Sequence, residues 1–535
     1  MKLSGFLVGT LACTLFAACS NEENSAINSG QEEGQLSYVA VNIVNANPTG
    51  SRVEGGKYEN GKGPENTITK ARFYLFNASG NPYTVTTNEA PGAVTKTNYV
   101  DITTLADQGK DEPNVESIKK GVLVFKGTTT ELPTSIVAVL NPPATLTGSK
   151  SLSDLQTKAI ADYSSTTSFV MSNSVYASEG TEVVATDIVG KVAQSKEDAE
   201  ANPVDIYVER VLAKVEVTFS DADKEASKDD GPQYIVSGTG ESAVYAEVLG
   251  WAVTTDNRTS NLLKDIDVTW NNTDLGFTWN DEPYHRSYWA STPSTITPVN
   301  DKSAEEIIEE TGNVRYCQEN TLSTHTNVIV VAQLVNNSGV AQPIYKYYGM
   351  NYTSENDILE LIANKYANVY YTKTSQENQD TYVSIAPKDM EFKATTSTET
   401  DNYEAIAVLK SDITIYTPNP DYNAETPGSQ KYVTVDADDV NAELAKNPAQ
   451  IAKDGYVYYY TPIKHLGTTG KTGEYGVVRN HVYKVSITDI NGFGTPIYDP
   501  DKDIIPTHPT DEETYIAARI NVLSWRVVSS NVTLE

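Results

Sequence analysis

The chain has almost no cysteine. It carries three, and Cys13 and Cys19 both lie at the N-terminal end. Cys13 lies inside a leader and Cys19 is the candidate lipid site, which leaves Cys317 alone and no internal disulfide to form. Cys317 has no base beside it in Arg315-Tyr316-Cys317-Gln318 and reads as a buried, inert thiol rather than a nucleophile. Histidine is scarce too: His285, His325, His465, His481 and His508 show no metal-ligand spacing, and neither a metal nor another cofactor is expected. No serine sits in a Gly-x-Ser-x-Gly elbow. The stretch His465 to Thr472 ends like a phosphate-binding loop, but His465 takes the place of its first glycine, and a hairpin tip is expected instead. Asp499, Asp501 and Asp503 are spaced like the start of a calcium loop, but Ile504 replaces the turn glycine and Thr510 the closing glutamate, which leaves a solvated charge run. No catalytic constellation is legible, and the chain is expected not to be an enzyme. Basic charge is also short, 40 residues against 71 acidic ones, for a net charge of −31. Such a surface repels nucleic acid and anionic membranes.

Long apolar runs are missing as well, with one exception at the start. Met1 and Lys2 precede an apolar run from Leu3 to Phe16, closed by Ala17-Ala18-Cys19. The run is too short to span a bilayer, and the small residues before a cysteine predict a signal peptide over 1–18 with a lipid on the Cys19 thiol. Ser20 to Gly34 is a polar tether with nothing to bury. Leu36 to Val44 then reads as a strand, with Val39, Val41 and Ile43 on one face. A Gly/Pro/Ser loop follows that holds Arg52, the first arginine of the chain, before Val53. By its residues alone Arg52 is either a solvated surface charge or a site that a trypsin-like protease can reach.

The rest is written in strands. Tyrosine, at 33 residues, outnumbers phenylalanine threefold and favours strands together with the many Thr and Val. Thr67 to Phe76 alternates, while Gly121 to Phe125 and Ser135 to Leu140 are continuous apolar runs of sandwich-core length. Asn202-Pro203 reads as a boundary, and Val204 to Phe219 as one long strand after it. Two helices are expected: one capped by Ser354, with Ile358, Leu361, Ile362 and Lys365 at helical spacing, and one over Val440 to Lys453, interrupted by Asn447-Pro448. Gly492 to Glu513 reads as an arm, followed by a strand pattern that shifts phase by one residue between Val522 and Leu523. This is the grammar of a mainly β, two-domain sandwich protein with a few short helices in its C-terminal domain.

Five stretches resemble the fimbrillins, subunits of lipoprotein-dependent type V pili: Tyr207 to Val215, Leu249 to Val253, Tyr284 to Ala290, Tyr316 to Thr321, and Gly476 to Val485 with the following Gly492 to Pro496. Ile520 to Trp525 resembles the C-terminal strand motif of the major subunit of the minor fimbrium. The resemblance implies transthyretin-like, Greek-key sandwiches and a division into a lipidated propeptide over 19–52, an N-terminal domain over 53–203, a C-terminal domain over 204–490, and an arm with a donor strand over 491–535. It also implies export as an acylated outer-membrane precursor and cleavage after Arg52 by an arginine-specific surface protease. On this resemblance the first strand, with Leu36, Tyr38, Val39, Val41 and Ile43, is expected to leave with the tether, and a neighbour's C-terminal strand to fill the vacated groove. Ile520, Val522, Leu523, Trp525 and Val527 are the donor residues this implies. The expected partners are other copies of the chain, head to tail, accessory anchor and tip fimbrillins, and adhesion ligands on host or bacterial cells; the membrane enters only through the precursor lipid. Two other roles stand beside a shaft subunit. One is an anchor or tip member of the same system. The other is a surface glycan-binding lipoprotein using Trp251, Trp270, Trp279 and Trp289, whose bland counterpart is core packing.

Overall fold

The computed structural model describes residues 36–46, 59–90, 93–107, 115–127, 131–160, 168–178, 181–223, 231–266, 298, 301–376, 379–396, 403–465, 470, 473–502, 504 and 526–534. The expected mainly β sandwich architecture is present. The first strand, β1 (Leu36–Ala46), matches the strand expected from Leu36 to Val44 and runs two residues further. It is followed by β2 (Ala71–Phe76), β3 (Val85–Ala90), β4 (Ala93–Thr97), β5 (Tyr99–Ile102), β6 (Val115–Gly127), β7 (Ser135–Leu140), β8 (Met171–Asn173) and β9 (Val204–Arg210). These strands hydrogen-bond in the order β4-β3-β6-β1-β9-β8-β7-β2-β5 and enclose one core, in which Val39, Val41, Phe73, Leu75, Leu123, Phe125, Ile136 and Ile206 meet.

Position in the sheet explains the composition of the strands. The run in β7 is buried on both faces: Ile136, Ala138 and Leu140 enter the first core, while Val137 and Val139 enter a second layer with Tyr74, Leu155 and Leu262. The apolar run in β6 differs from the expectation of a wholly buried segment. Only Leu123 and Phe125 are in the core, and Val124 is 40% exposed, because no layer among the described residues covers the outer face of β6 there.

The long strand expected from Val204 to Phe219 is two strands. β9 ends at Arg210, the chain crosses through Val211-Leu212, and β10 (Ala213–Phe219) starts in another sheet. The change of sheet therefore falls at Val211-Leu212, not at Asn202-Pro203. β10 lies between β13 (Val314–Cys317) and β16 (His481–Ile490), with β17 (Arg526–Leu534) on the far side of β16. The facing sheet contains β11 (Gln233–Ser237), β12 (Val244–Thr254), β14 (Asn327–Asn336) and β15 (Tyr456–Pro462). Val215, Val217, Trp251, Val330, Tyr459, Tyr483 and Val485 pack between the two sheets.

Residues 337–455 are inserted between β14 and β15, which pair with each other directly from Asn327↔Pro462 to Gln333↔Tyr456. The insertion has its own core of Ile358, Ile362, Met390, Ala407, Val440 and Ile451. Its first helix, Glu355–Tyr366, has the expected cap, in which the Asp357 N–H donates to Ser354 Oγ (3.3 Å) and the Ser354 N–H to Asp357 Oδ2 (3.0 Å). Its buried face is Ile358, Leu359, Ile362, Ala363 and Tyr366, whereas Leu361 is 41% exposed. The second helix is shorter and earlier than expected, Ala437–Leu444 under an Asp436 cap, and past Pro448 the chain becomes a strand, Gln450–Ala452.

Candidate functional site

The seat of β1 is the place where sequence expectation and architecture meet. β1 pairs antiparallel with β6 along its whole length, from Leu36↔Lys126 to Ala46↔Val115, with one irregularity at the end. Its other edge pairs parallel with β9 over four positions, Val41↔Val204 to Val44↔Tyr207. The Tyr38 backbone adds a two-way bridge to Ala193 at 2.9 and 2.8 Å. Val39 and Val41 are 0% and 1% exposed, and Tyr38 is half-buried. Opposite Val41 stands Gly121, where a Cβ would meet Leu105 Cδ2 at 2.9 Å and Ile102 Cδ1 at 3.3 Å. The side-chain-free position lets those two residues close over the ladder beside Val41.

Two consequences follow from the hydrogen-bond order. Among the described residues, β1 is the only ladder between the half-sheet β4-β3-β6 and the half-sheet β9-β8-β7-β2-β5. Its removal leaves two unpaired edges and an apolar slot over Leu123, Phe125 and Ile206, a costly arrangement that any matching strand relieves. β1 also comes first in the chain among the described residues.

At the other end of the chain, β17 is an edge strand. It pairs parallel with β16 from His481↔Arg526 to Ile490↔Leu534 and has no second neighbour among the described residues. In the isolated chain the C-terminal strand therefore lies on its own C-terminal sheet. Of the expected donor residues, Val527 falls on β17, while Ile520, Val522, Leu523 and Trp525 lie outside the described residues, as do Cys19, Arg52 and Val53. Leu36, Tyr38, Val39, Val41 and Ile43 are all on β1.

Sequence reasoning missed a buried polar junction where three of the resembling stretches converge. Arg479 is 0% exposed; its Nε donates to Glu319 Oε2 at 2.9 Å, and its Nη1 and Nη2 donate to the Leu262 and Asn261 carbonyls at 3.0 and 2.6 Å. The Asn480 N–H donates to the Leu212 carbonyl at 2.8 Å, and the Asn480 side-chain oxygen accepts from the Arg210 N–H at 3.3 Å. The Asn320 N–H donates to the Val477 carbonyl at 2.9 Å. These residues fasten the crossing at Val211-Leu212 to β16 and have the character of structural joints. A signal was available: charged residues inside apolar strand text, as in Val478-Arg479-Asn480-His481-Val482. Cys317 is buried as expected, and burial pushes its thiol up. Trp251 is 5% exposed in the core under the Arg315 guanidinium, which removes it as a glycan platform; Trp270, Trp279 and Trp289 lie outside the described residues. The neck of the expected hairpin after His465 is present, with the His465 N–H donating to the Glu474 carbonyl at 2.7 Å.

Residues 451–531 match the family described as major fimbrial subunit protein type IV, fimbrillin, C-terminal. No curated protein matches the chain. Among solved structures it is similar to a fimbrial assembly protein from Parabacteroides distasonis, at 12% identity and TM-score 0.27 over 71% of this chain and 97% of the other. It is similar also to a candidate cell adhesion protein from the same organism, at 11% identity and TM-score 0.30 over 93% of this chain and 99% of the other. The matched C-terminal region is fimbrillin-like and includes β15, β16 and the larger part of β17.

Proposed function

We propose that this chain is a structural subunit of a cell-surface fimbria, and in finer terms a shaft subunit polymerised by strand exchange. It is exported as a lipoprotein through Cys19 and cut after Arg52, so that tether and β1 leave together. The C-terminal segment of a neighbouring subunit then takes the seat, and repetition of this head-to-tail contact gives a filament that supports adhesion and biofilm formation. The single observation that carries this reading is the place of β1: the first strand among the described residues is also the only ladder among them that joins two half-sheets. A permanent strand could sit anywhere; one meant to be replaced must be terminal and must leave a gap worth filling. The fimbrillin-like region at 451–531 supports the same reading from the other end of the chain. An anchor would keep its lipid and its first strand, and a tip subunit would need no donor.

The test is Arg52→Ala with N-terminal sequencing of the surface-assembled material. The wild type should begin at Val53, and the variant should stay as an uncut, lipid-tethered monomer. Filaments of ordinary length from Arg52→Ala would sink the cleavage step.

A further inference from the structure

We infer that residues 59–66 form a clasp that holds the chain downstream of the processing loop onto the outer face of the C-terminal sheet, so that the cut frees β1 alone. The inference rests on the processing reading above for its purpose, but its geometry is independent of it. After Glu59 the chain makes a single 3-10 turn, Gly63–Glu65, with Pro64 inside it. Glu65 is 2% exposed although it is charged. Its Oε1 receives Lys214 Nζ from β10 at 3.0 Å and the Tyr316 hydroxyl from β13, and its Oε2 accepts from the Lys62 N–H at 2.8 Å. Arg210, at the end of β9, reaches the same turn: its Nε donates to the Glu65 carbonyl at 2.8 Å and its Nη2 to Asn66 Oδ1 at 2.6 Å. Glu59 adds an ion pair to Lys484 on β16, beside Glu216.

These attachments cross the sheet. Lys214 stands opposite Tyr316 on one side, and Glu216 stands opposite Lys484 on the other, so the segment is tied to three neighbouring strands at once. Gly61 fits the clasp sterically as well: a Cβ there would lie 2.4 Å from Arg210 Nη2 and 2.1 Å from Asn66 Oδ1. Burial by itself would raise the Glu65 carboxyl, but the Tyr316 hydroxyl, the Lys62 N–H and the Lys214 ammonium outweigh it and hold it below the usual range. The chain then enters β2 through a second latch, Asn141 Oδ1 accepting from the Thr69 N–H at 2.8 Å. The loop that holds Arg52 is thus strung between β1, which has to leave, and a segment fixed at several points. A chain without the clasp would lose the lead-in to β2 together with β1.

Hydrogen exchange on the full chain, with a single engineered protease site replacing the residues around Arg52, tests this. Peptides covering 59–69 should exchange slowly before the cut and equally slowly after it. Gly61→Ala and Glu65→Ala should each speed exchange there at least tenfold, while 481–490 keeps its protection as the mark of an intact fold. A wild-type segment that exchanges freely once the site is cut overturns the clasp, as do two folded variants that leave its rate unchanged. Global loss of protection in a variant still leaves the wild-type comparison before and after cutting, which decides by itself. Failure of cells to cut at Arg52 would sink the processing reading and leave this measurement standing.

Discussion

Val41→Ala is the sharpest probe of the seat. Val41 is 1% exposed, lies in the core with Leu123 and Phe125, and faces Gly121 across the ladder. The substitution removes two buried methyl groups, about 1.6 kcal/mol of transfer free energy at about 0.8 kcal/mol each. The cavity adds to this because β6 and β9 pin both edges of β1 and the site cannot collapse, which brings the cost to about 2–3 kcal/mol. At about 1.4 kcal/mol per factor of ten, the cut strand should be held about 30- to 140-fold less tightly, with the change appearing mainly in its departure rate. The assay uses the full chain with one engineered protease site in the loop after β1: cleave, then follow release of the N-terminal fragment by size-exclusion chromatography. Val124→Ala is the control, since Val124 is 40% exposed on the outer face of β6, and it should change release by no more than about twofold. Equal release rates for wild type and Val41→Ala would refute the reasoning, because they would mean that β1 is not held by the core it sits in.

Two further outcomes follow from other parts of the molecule. Burial pushes the Asp256 carboxyl up to about 7 against the opposing pull of the Gln318 N–H and the Arg258 charge. A folded-state pKa raised above the unfolded one gives stability that is present in acid and lost as pH rises from about 4 through about 7, so Asp256→Asn should be more stable than wild type at pH 8 by roughly 3–4 kcal/mol and little different near pH 4; equal denaturant midpoints at pH 8 would contradict this. Deleting Ile516 to Glu535 removes an edge strand that pairs with β16 alone among the described residues, and should leave a folded, secreted subunit that forms no polymer by light scattering; assembly of the truncated chain would place the donor elsewhere.

Much of this was legible along the chain because it depends on local periodicity. The alternation that ends in Val39 and Val41 marks β1, and Ser354 marks its helix through a capping pair only three residues apart. The break between β9 and β10 was also written down: apolar positions keep even phase through Val204, Ile206 and Val208, then odd phase through Ala213, Val215 and Val217. Continuous apolarity across Val211-Leu212 hides it, because both residues are buried at the crossing. The partners of the buried charges were not legible, since each is neutralised from far along the chain. Arg479 meets Glu319, and Glu65 meets Lys214 and Tyr316, through contacts that exist only once both sandwiches are folded. Hydrophobic pattern alone assigns such residues to the surface. The end of the second helix shows the reverse: Asn447-Pro448 warned of an early stop, and the chain obeyed it.

The two ladders of β1 have opposite sense, antiparallel to β6 and parallel to β9. An occupant that satisfies both edges can lie in the seat in one direction only, because reversing it would mismatch the spacing of hydrogen bonds on each side. A slot of this kind works as an arrow as well as a socket. On the strand-exchange proposal it fixes the direction in which an incoming strand lies, so a fibre built through it has a head and a tail, and every unit along its length points the same way.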